Sequence, residues 1–259
     1  MPTNALPLHT LNPLGRFSDR AQDYARYRPR YPEEAIAAIL ADLGDPQSLV
    51  IADIGAGTGI SSRLLGEYGP RVIALEPNAA MRDAAEPHPQ VSFQIGTAEQ
   101  TGLADRSVDV VTCCQSFHWF NAPLALAEFS RLLQPGGRLA LLWNDWDIDD
   151  PRTGAYRQIV QAAAARTVDH HDHTQAIEAV EQQAGFLPVH HLSFAYGQVL
   201  TLSEVVGRSL SSSYIPKEGR AHAQFLDAMT AWHRAWVTDD GTVTLKYVTN
   251  LYLSERTAL

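Results

Sequence analysis

The segment Ile51-Ala52-Asp53-Ile54-Gly55-Ala56-Gly57-Thr58-Gly59 constrains this chain more than any other. A short apolar run breaks into glycines at alternate positions, and an amphipathic stretch over 60–68 follows. That order reads as strand, tight turn and helix. Glycine lets the backbone take left-handed conformations and come close to a ligand. In an open parallel sheet, such a turn after the first strand lies at the carboxyl edge, where ligands bind.

The rhythm continues. Strands are expected over 48–54, 71–75, 91–95, 108–113 and 138–143. Helices are expected between them over 60–68, 78–85 and 123–133, the last closed by Pro135-Gly136-Gly137. Near-continuous apolar strands alternating with helices mean a parallel sheet covered on both faces. Beyond the fifth strand the pattern changes. Residues 153–165 and 175–184 read as helices, 189–201 as a long strand, 202–211 and 221–236 as helices, and 242–253 as a final strand closing the sheet. The expected fold class is α/β, a doubly wound, seven-stranded and mostly parallel sheet with a helical cap. Residues 1–47 form an N-terminal helical cover, 48–201 the core, 202–241 a cap insertion and 242–259 the last core strand.

Bulk properties narrow the partners. With 259 residues, 45% hydrophobic and 19% charged, the chain can bury a sizeable core. A net charge of −9 argues against nucleic acid, whose binding depends on Lys and Arg. Cys113 and Cys114 are adjacent, which suits no disulfide framework. No apolar run reaches membrane-spanning length, and the start lacks a signal-peptide pattern, so the expectation is a cytoplasmic protein without membrane partners. The sequence carries no signal for oligomeric state.

Strand two ends in Leu75-Glu76-Pro77-Asn78, and a carboxylate there can accept both hydroxyls of a ribose. The Gly-x-Gly-x-Gly spacing with Asp53 before it differs from a dinucleotide turn, which places its third glycine one residue later to face a pyrophosphate. Over 22–143, and more weakly to the end, the chain resembles the class I S-adenosylmethionine-dependent methyltransferases, whose Rossmann-like fold the pattern matches. The resemblance implies that Asp53, Gly55, Gly57 and Gly59 form the family's first motif and that Glu76 is its ribose-binding acid. It further implies that Thr97, Ala98 and Glu99 lie at the adenine. Many members carry Asp where Thr97 stands, which leaves a backbone contact from Ala98. The implied cofactor is S-adenosyl-L-methionine.

The fourth strand ends in Cys113-Cys114-Gln115-Ser116-Phe117-His118-Trp119-Phe120. In this family the ends of strands four and five face the transferring methyl. Cys114 and Gln115 are therefore expected on the cofactor side, with Trp119 toward substrate. The Asn-Pro-Pro-Tyr motif of DNA-adenine and protein-glutamine methylation is absent, which points to a small-molecule acceptor. The stretch Tyr24-Ala25-Arg26-Tyr27-Arg28-Pro29-Arg30-Tyr31-Pro32, within an N-terminal segment that begins at Phe17, is similar to the opening of enzymes related to the trans-aconitate methyltransferases. That similarity implies that Tyr24 and Arg28 hold the methionine carboxylate or an acidic substrate, since a guanidinium recognises carboxylates bidentately. The plain alternative is a solvated helix face.

His118 is the one evident general base near the expected methyl site, because an imidazole titrates near pH 6.5. It equally reads as a packing histidine beside Trp119. Tyr214 reads either as a residue over the substrate or as part of a loop before Pro216. The acidic run Asn144–Asp150 and the cluster Asp169-His170-His171-Asp172-His173 read as a capping loop and an exposed turn, so no metal is expected. The expected reaction is in-line methyl transfer to a small molecule, with a carboxylate slightly favoured over other O, N or C acceptors. Two rivals remain open: a nicotinamide-dependent oxidoreductase and a non-catalytic cofactor-binding module.

Overall fold

A computed structural model describes residues 18–164 and 173–257. Its strands are β1 (Val50–Ile54), β2 (Arg71–Leu75), β3 (Val91–Gln94), β4 (Val108–Cys114), β5 (Leu133–Trp146), β6 (His190–Leu200) and β7 (Val243–Glu255). The helices are α1 (Ala21–Tyr27), α2 (Glu33–Leu40), α3 (Ile60–Glu67), α4 (Ala79–Asp83), α5 (Ala122–Leu132), α6 (Pro151–Ala163), α7 (Thr174–Gln182), α8 (Leu202–Leu210) and α9 (Gly219–Trp236).

These strands form one seven-stranded sheet in the order β3-β2-β1-β4-β5-β7-β6. The first five run parallel, while β7 is antiparallel to both β5 and β6. Burial explains the split. β1, β2 and β4 are buried on both faces, as parallel strands under helices must be. In β6 and β7, by contrast, more and less buried positions alternate. The order reverses between β1 and β4, which opens a crevice at their carboxyl ends.

Two apolar layers clamp the sheet. On one face Ala52, Ile54, Val111, Leu141 and Trp143 pack against Leu126 and Phe129 of α5 and Val180 of α7. On the other, Ile51, Val72, Val110 and Leu142 meet Ile36 and Ile39 of α2 and Leu65 of α3. A third core joins Tyr156 of α6, Val205 of α8, and Phe225, Met229 and Trp232 of α9 to Leu245 and Tyr247 of β7. α6 thus shares a core with α8, α9 and the β7 side of the sheet.

The last strand completes the sheet by slotting between β5 and β6. One expectation changes in detail. Pro135-Gly136-Gly137 does not simply separate helix from strand. β5 already begins at Leu133, opposite Val108, and its register then slips so that Arg138 pairs with Val110. The intervening residues bulge out, with Gly136 at a φ of +76°.

Candidate functional site

The three glycines after β1 all take left-handed backbone, with φ of +68° at Gly55, +58° at Gly57 and +75° at Gly59. A Cβ at Gly55 would sit 2.8 Å from the Cβ of Ser116, and one at Gly57 would sit 3.2 Å from Cε of Met81. Conformation and space both demand glycine here. The loop is tied to β2 because the Leu75 carbonyl accepts from the N–H groups of Gly55 (2.9 Å) and Ala56 (3.0 Å).

Asp53 lies beneath this loop with no exposed surface. Its carboxylate accepts from Ser61 Oγ and Ser62 Oγ, both at 2.6 Å, and from Thr112 Oγ1 at 2.8 Å. Burial raises its pKa, opposed by those three hydroxyls. Asp53 thus knots β1, β4 and the first turn of α3 together and shapes the loop from below.

Glu76 stands at the rim of the same loop, 8% exposed. Its Oε2 accepts from Gly57 N–H at 2.9 Å and its Oε1 from Asn78 N–H at 2.8 Å. Desolvation pushes its pKa up against these two bonds. Each oxygen keeps a lone pair for a ligand hydroxyl.

Beyond β3, a Cβ at Gly96 would meet Cδ2 of Leu75 at 2.7 Å, so this turn is pressed onto the end of β2. Ala98 is buried within it. The Thr97 hydroxyl accepts from Gln100 N–H at 3.2 Å and Glu99 Oε1 from Asn121 N–H at 2.8 Å. Both side chains are thus tied to backbone N–H groups, which fixes the shape of the turn.

At the end of β4, Cys114 is half-buried beside the buried Tyr31. Gln115 takes a φ of +58°, and its Nε2 donates to the Asn144 carbonyl at 3.1 Å. Ser116 Oγ donates to the Ile54 carbonyl at 2.7 Å. His118 and Trp119 lie in the one-turn helix Phe117–Trp119, with ring centroids 5.2 Å apart. Trp143 Nε1–H donates to His118 Nδ1 at 3.2 Å. An imidazole that accepts at Nδ1 carries its proton on Nε2. His118 thus packs beside Trp119 and accepts from Trp143 at the end of β4, where the sequence places it.

The N-terminal cover and the cap interlock above the crevice. Tyr24 on α1 overlies the loop, 3.9 Å from where a Cβ on Gly57 would be. Arg28 stacks over its ring at 4.7 Å and donates from Nη2 to Ser212 Oγ at 3.2 Å. Arg20 donates to the carbonyls of Leu210 (2.9 Å), Ile215 (3.1 Å) and Ser212, closing the end of α8. Arg26 is exposed and Arg30 pairs with exposed Glu67 at 3.0 Å, so Arg28 alone of the three turns inward. Tyr214 and Arg208 lie within electrostatic reach of Arg28. Sequence reading missed Arg208 and Tyr31. The signal for Arg208 was its place three residues after buried Val205, on the inward face of α8.

The acidic run after β5 is engaged by protein. Asp145 accepts from Asn250 Nδ2 at 2.7 Å and lies 2.9 Å from His173 Nε2, and Asp150 caps α6 through Thr153 N–H at 3.0 Å. Of the histidine cluster, 169–172 fall outside the described residues. No described helix is long and apolar enough to cross a membrane.

Known proteins with related sequences and folds agree with this architecture. A methyltransferase domain family matches residues 52–141. An uncharacterized methyltransferase of Mycobacterium tuberculosis is 32% identical over 238 residues, covering 90% of this chain and 92% of the relative. A ubiquinone/menaquinone biosynthesis C-methyltransferase of Rubrivivax gelatinosus is 41% identical over 97 residues, 36% of this chain and 38% of that protein. Among solved structures, a type II methyltransferase candidate from Anaeromyxobacter dehalogenans superposes with a TM-score of 0.60 at 21% identity, over 90% of this chain and 99% of that one. That likeness speaks to fold.

Proposed function

The chain belongs to the methyltransferase family, and from that premise we propose that it methylates a small-molecule acceptor, with a carboxylate as the favoured target atom group. Its donor is S-adenosyl-L-methionine. When bound, that donor supplies an electrophilic sulfonium methyl. The residues present suit it: a loop of left-handed glycines at the carboxyl end of β1, and a carboxylate at its rim. Glu76 would take the ribose hydroxyls, the Gly96–Ala98 turn the adenine, and Tyr24 with Arg28 the methionine end.

One observation carries the reading. Glu76 binds Gly57 N–H and Asn78 N–H while keeping acceptor capacity toward the crevice. The neighbouring α3 start does not favour a dinucleotide, because the hydroxyls of Ser61 and Ser62 are buried on Asp53 rather than offered to a pyrophosphate. The protein's task is to align two reactants and to exclude water. The interlocked cover and cap, held by Arg20 and Arg28, supply that exclusion. A carboxylate acceptor is ionised at neutral pH and needs no base, which fits an imidazole whose Nδ1 is already occupied. The similarity of the N-terminal stretch to trans-aconitate methyltransferases supports the same acceptor class. Methylation at carbon is the second reading, supported by the biosynthetic C-methyltransferase relative.

Calorimetric titration with S-adenosylmethionine, S-adenosylhomocysteine and NAD tests the donor, with binding expected for the first two alone. Turnover with methyl-labelled donor on fractionated small-molecule extract tests the acceptor. A carboxyl ester releases labelled methanol in mild alkali, whereas N- and C-methyl products keep their label. Absence of affinity for either adenosyl compound would sink the assignment. Tight product binding without turnover on any fraction would replace it with a non-catalytic module.

A further inference from the structure

Two guanidiniums meet where α1 packs on α8: Arg208 on α8 is buried, and Arg28 at the end of α1 is half-buried. Arg208 is 5% exposed, and its Nε and Nη1 are sealed from solvent without a hydrogen-bond partner. The Nε of Arg28 is in the same condition. Neither guanidinium is in an ion pair with Asp or Glu among the described residues. The groups that face them are the phenols of Tyr24, Tyr214 and Tyr247 for Arg28, and of Tyr247, Tyr156 and Tyr214 for Arg208. Tyr247 donates its own proton to Gln198 Oε1 at 3.2 Å, which leaves its oxygen to accept from Arg208.

A guanidinium cannot shed its proton in a protein. Burying one without an anion is costly, and two near each other repel as well. Desolvation and the nearness of Arg208 lower the pKa of Arg28, whereas the phenols of Tyr247, Tyr156 and Tyr214 turn that of Arg208 upward against its own desolvation. The arrangement is notable in a chain of net charge −9, which has acids to spare. It also adjoins the glycine loop, because Arg28 stacks over the Tyr24 ring and Tyr24 lies 3.9 Å from where a Cβ on Gly57 would be.

We propose that Arg208, next to Arg28, is the receptor for an oxyanion on the acceptor, so that the substrate class is small organic anions. The proposal rests on the methyltransferase reading given above. The charge count favours it. The donor brings a single carboxylate, which Arg28 can take, and the second cation then requires a second anion. Carboxylate and phosphate share the needed chemistry, namely negative oxygen atoms that accept from planar N–H donors. The anion held by Arg208 anchors the acceptor, and the atom methylated lies nearer the end of β4.

The test is calorimetric titration of the S-adenosylhomocysteine complex with succinate, tricarballylate and inorganic phosphate, with succinamide as the neutral control. Wild type should bind at least one anion and not the diamide. Preference for the carboxylates or for phosphate assigns the anchor's source. Arg208→Met should weaken anion binding tenfold or more while leaving S-adenosylhomocysteine affinity within about twofold. Arg208→Lys, which keeps charge but not the planar donors, should fall between. If Arg208→Met lowers affinity for S-adenosylhomocysteine instead, the arginine holds the donor and the proposal is overturned. It is equally overturned if anion binding is indifferent to the substitution, or if wild type binds the diamide as well as the anions. Should the Met variant fail to fold, the wild-type comparison and the Lys variant decide. Failure of S-adenosylhomocysteine itself to bind would instead strike at the underlying methyltransferase reading.

Discussion

Replacing Glu76 by Gln separates the binding role of this side chain from its structural one. Each carboxylate oxygen accepts one backbone N–H, from Gly57 at 2.9 Å and Asn78 at 2.8 Å. That leaves about one lone pair per oxygen for ligand hydroxyls. Gln converts one oxygen to an NH2 group, so one hydroxyl acceptor is lost and one backbone donor meets another donor. A hydrogen bond to a charged group contributes about 1.5–3 kcal/mol. Losing one toward the ligand should therefore weaken S-adenosylhomocysteine binding by about 10- to 150-fold. The apo protein should respond less. Burial raises the pKa of Glu76, so ionisation costs the folded state, and a neutral amide relieves that cost while forfeiting one backbone bond. The two nearly offset, leaving a net change of about 1 kcal/mol and a melting shift of about 2 °C. The sign with pH follows from the same shift. The folded carboxyl holds its proton above the unfolded value of 4.5, so this increment of stability is present at lower pH and is lost as pH rises through the folded pKa. Glu76→Gln should remove that dependence. Calorimetry with parallel thermal melts measures both quantities. An affinity within twofold of wild type, or a loss of affinity matched by general unfolding, would refute the reasoning.

Three further outcomes are expected. Gly55→Ala must adopt a φ of +68° and meet Ser116 Cβ at 2.8 Å, whereas Gly136→Ala adopts +76° in open space. Denaturant melts should show about 2–5 kcal/mol lost for the first, from left-handed strain plus overpacking, and about 1–2 for the second; equal losses would show that the crowding is relieved at no cost. Glu128 links α5 to the 101–103 loop by accepting from Thr101 N–H at 3.0 Å and is braced within α5 by Arg131 Nη2 at 2.7 Å; Arg131 and Thr101 hold its pKa at about 2. Its stabilising contribution is present above the unfolded value of 4.5 and is lost as pH falls toward 2, so acid melts of Glu128→Gln should converge with wild type in that window. With a carboxylate acceptor no proton has to be removed, so His118→Ala should leave much of kcat; a loss of about 10²–10⁴-fold would assign the imidazole as base.

What sequence determined by itself was whatever local sterics and periodicity encode. Gly55, Gly57 and Gly59 could be read as a ligand-approaching turn because left-handed backbone is written in single residues. Strand and helix alternation from β1 to β5 was legible because burial on both faces leaves continuous apolar runs, and Glu76 because it ends one of them. Tertiary structure alone decided the rest. The place of β7 between β5 and β6 depends on which edges remain to be paired, not on the alternation within the strand. The hydrogen bonds from Trp143 to His118 and from Asn121 to Glu99 join segments that only the fold brings together. Arg208 and Arg28 lie 180 residues apart and come together only when α8 packs on α1. Such meetings arise from the packing of whole elements against one another, and no window of sequence contains both partners.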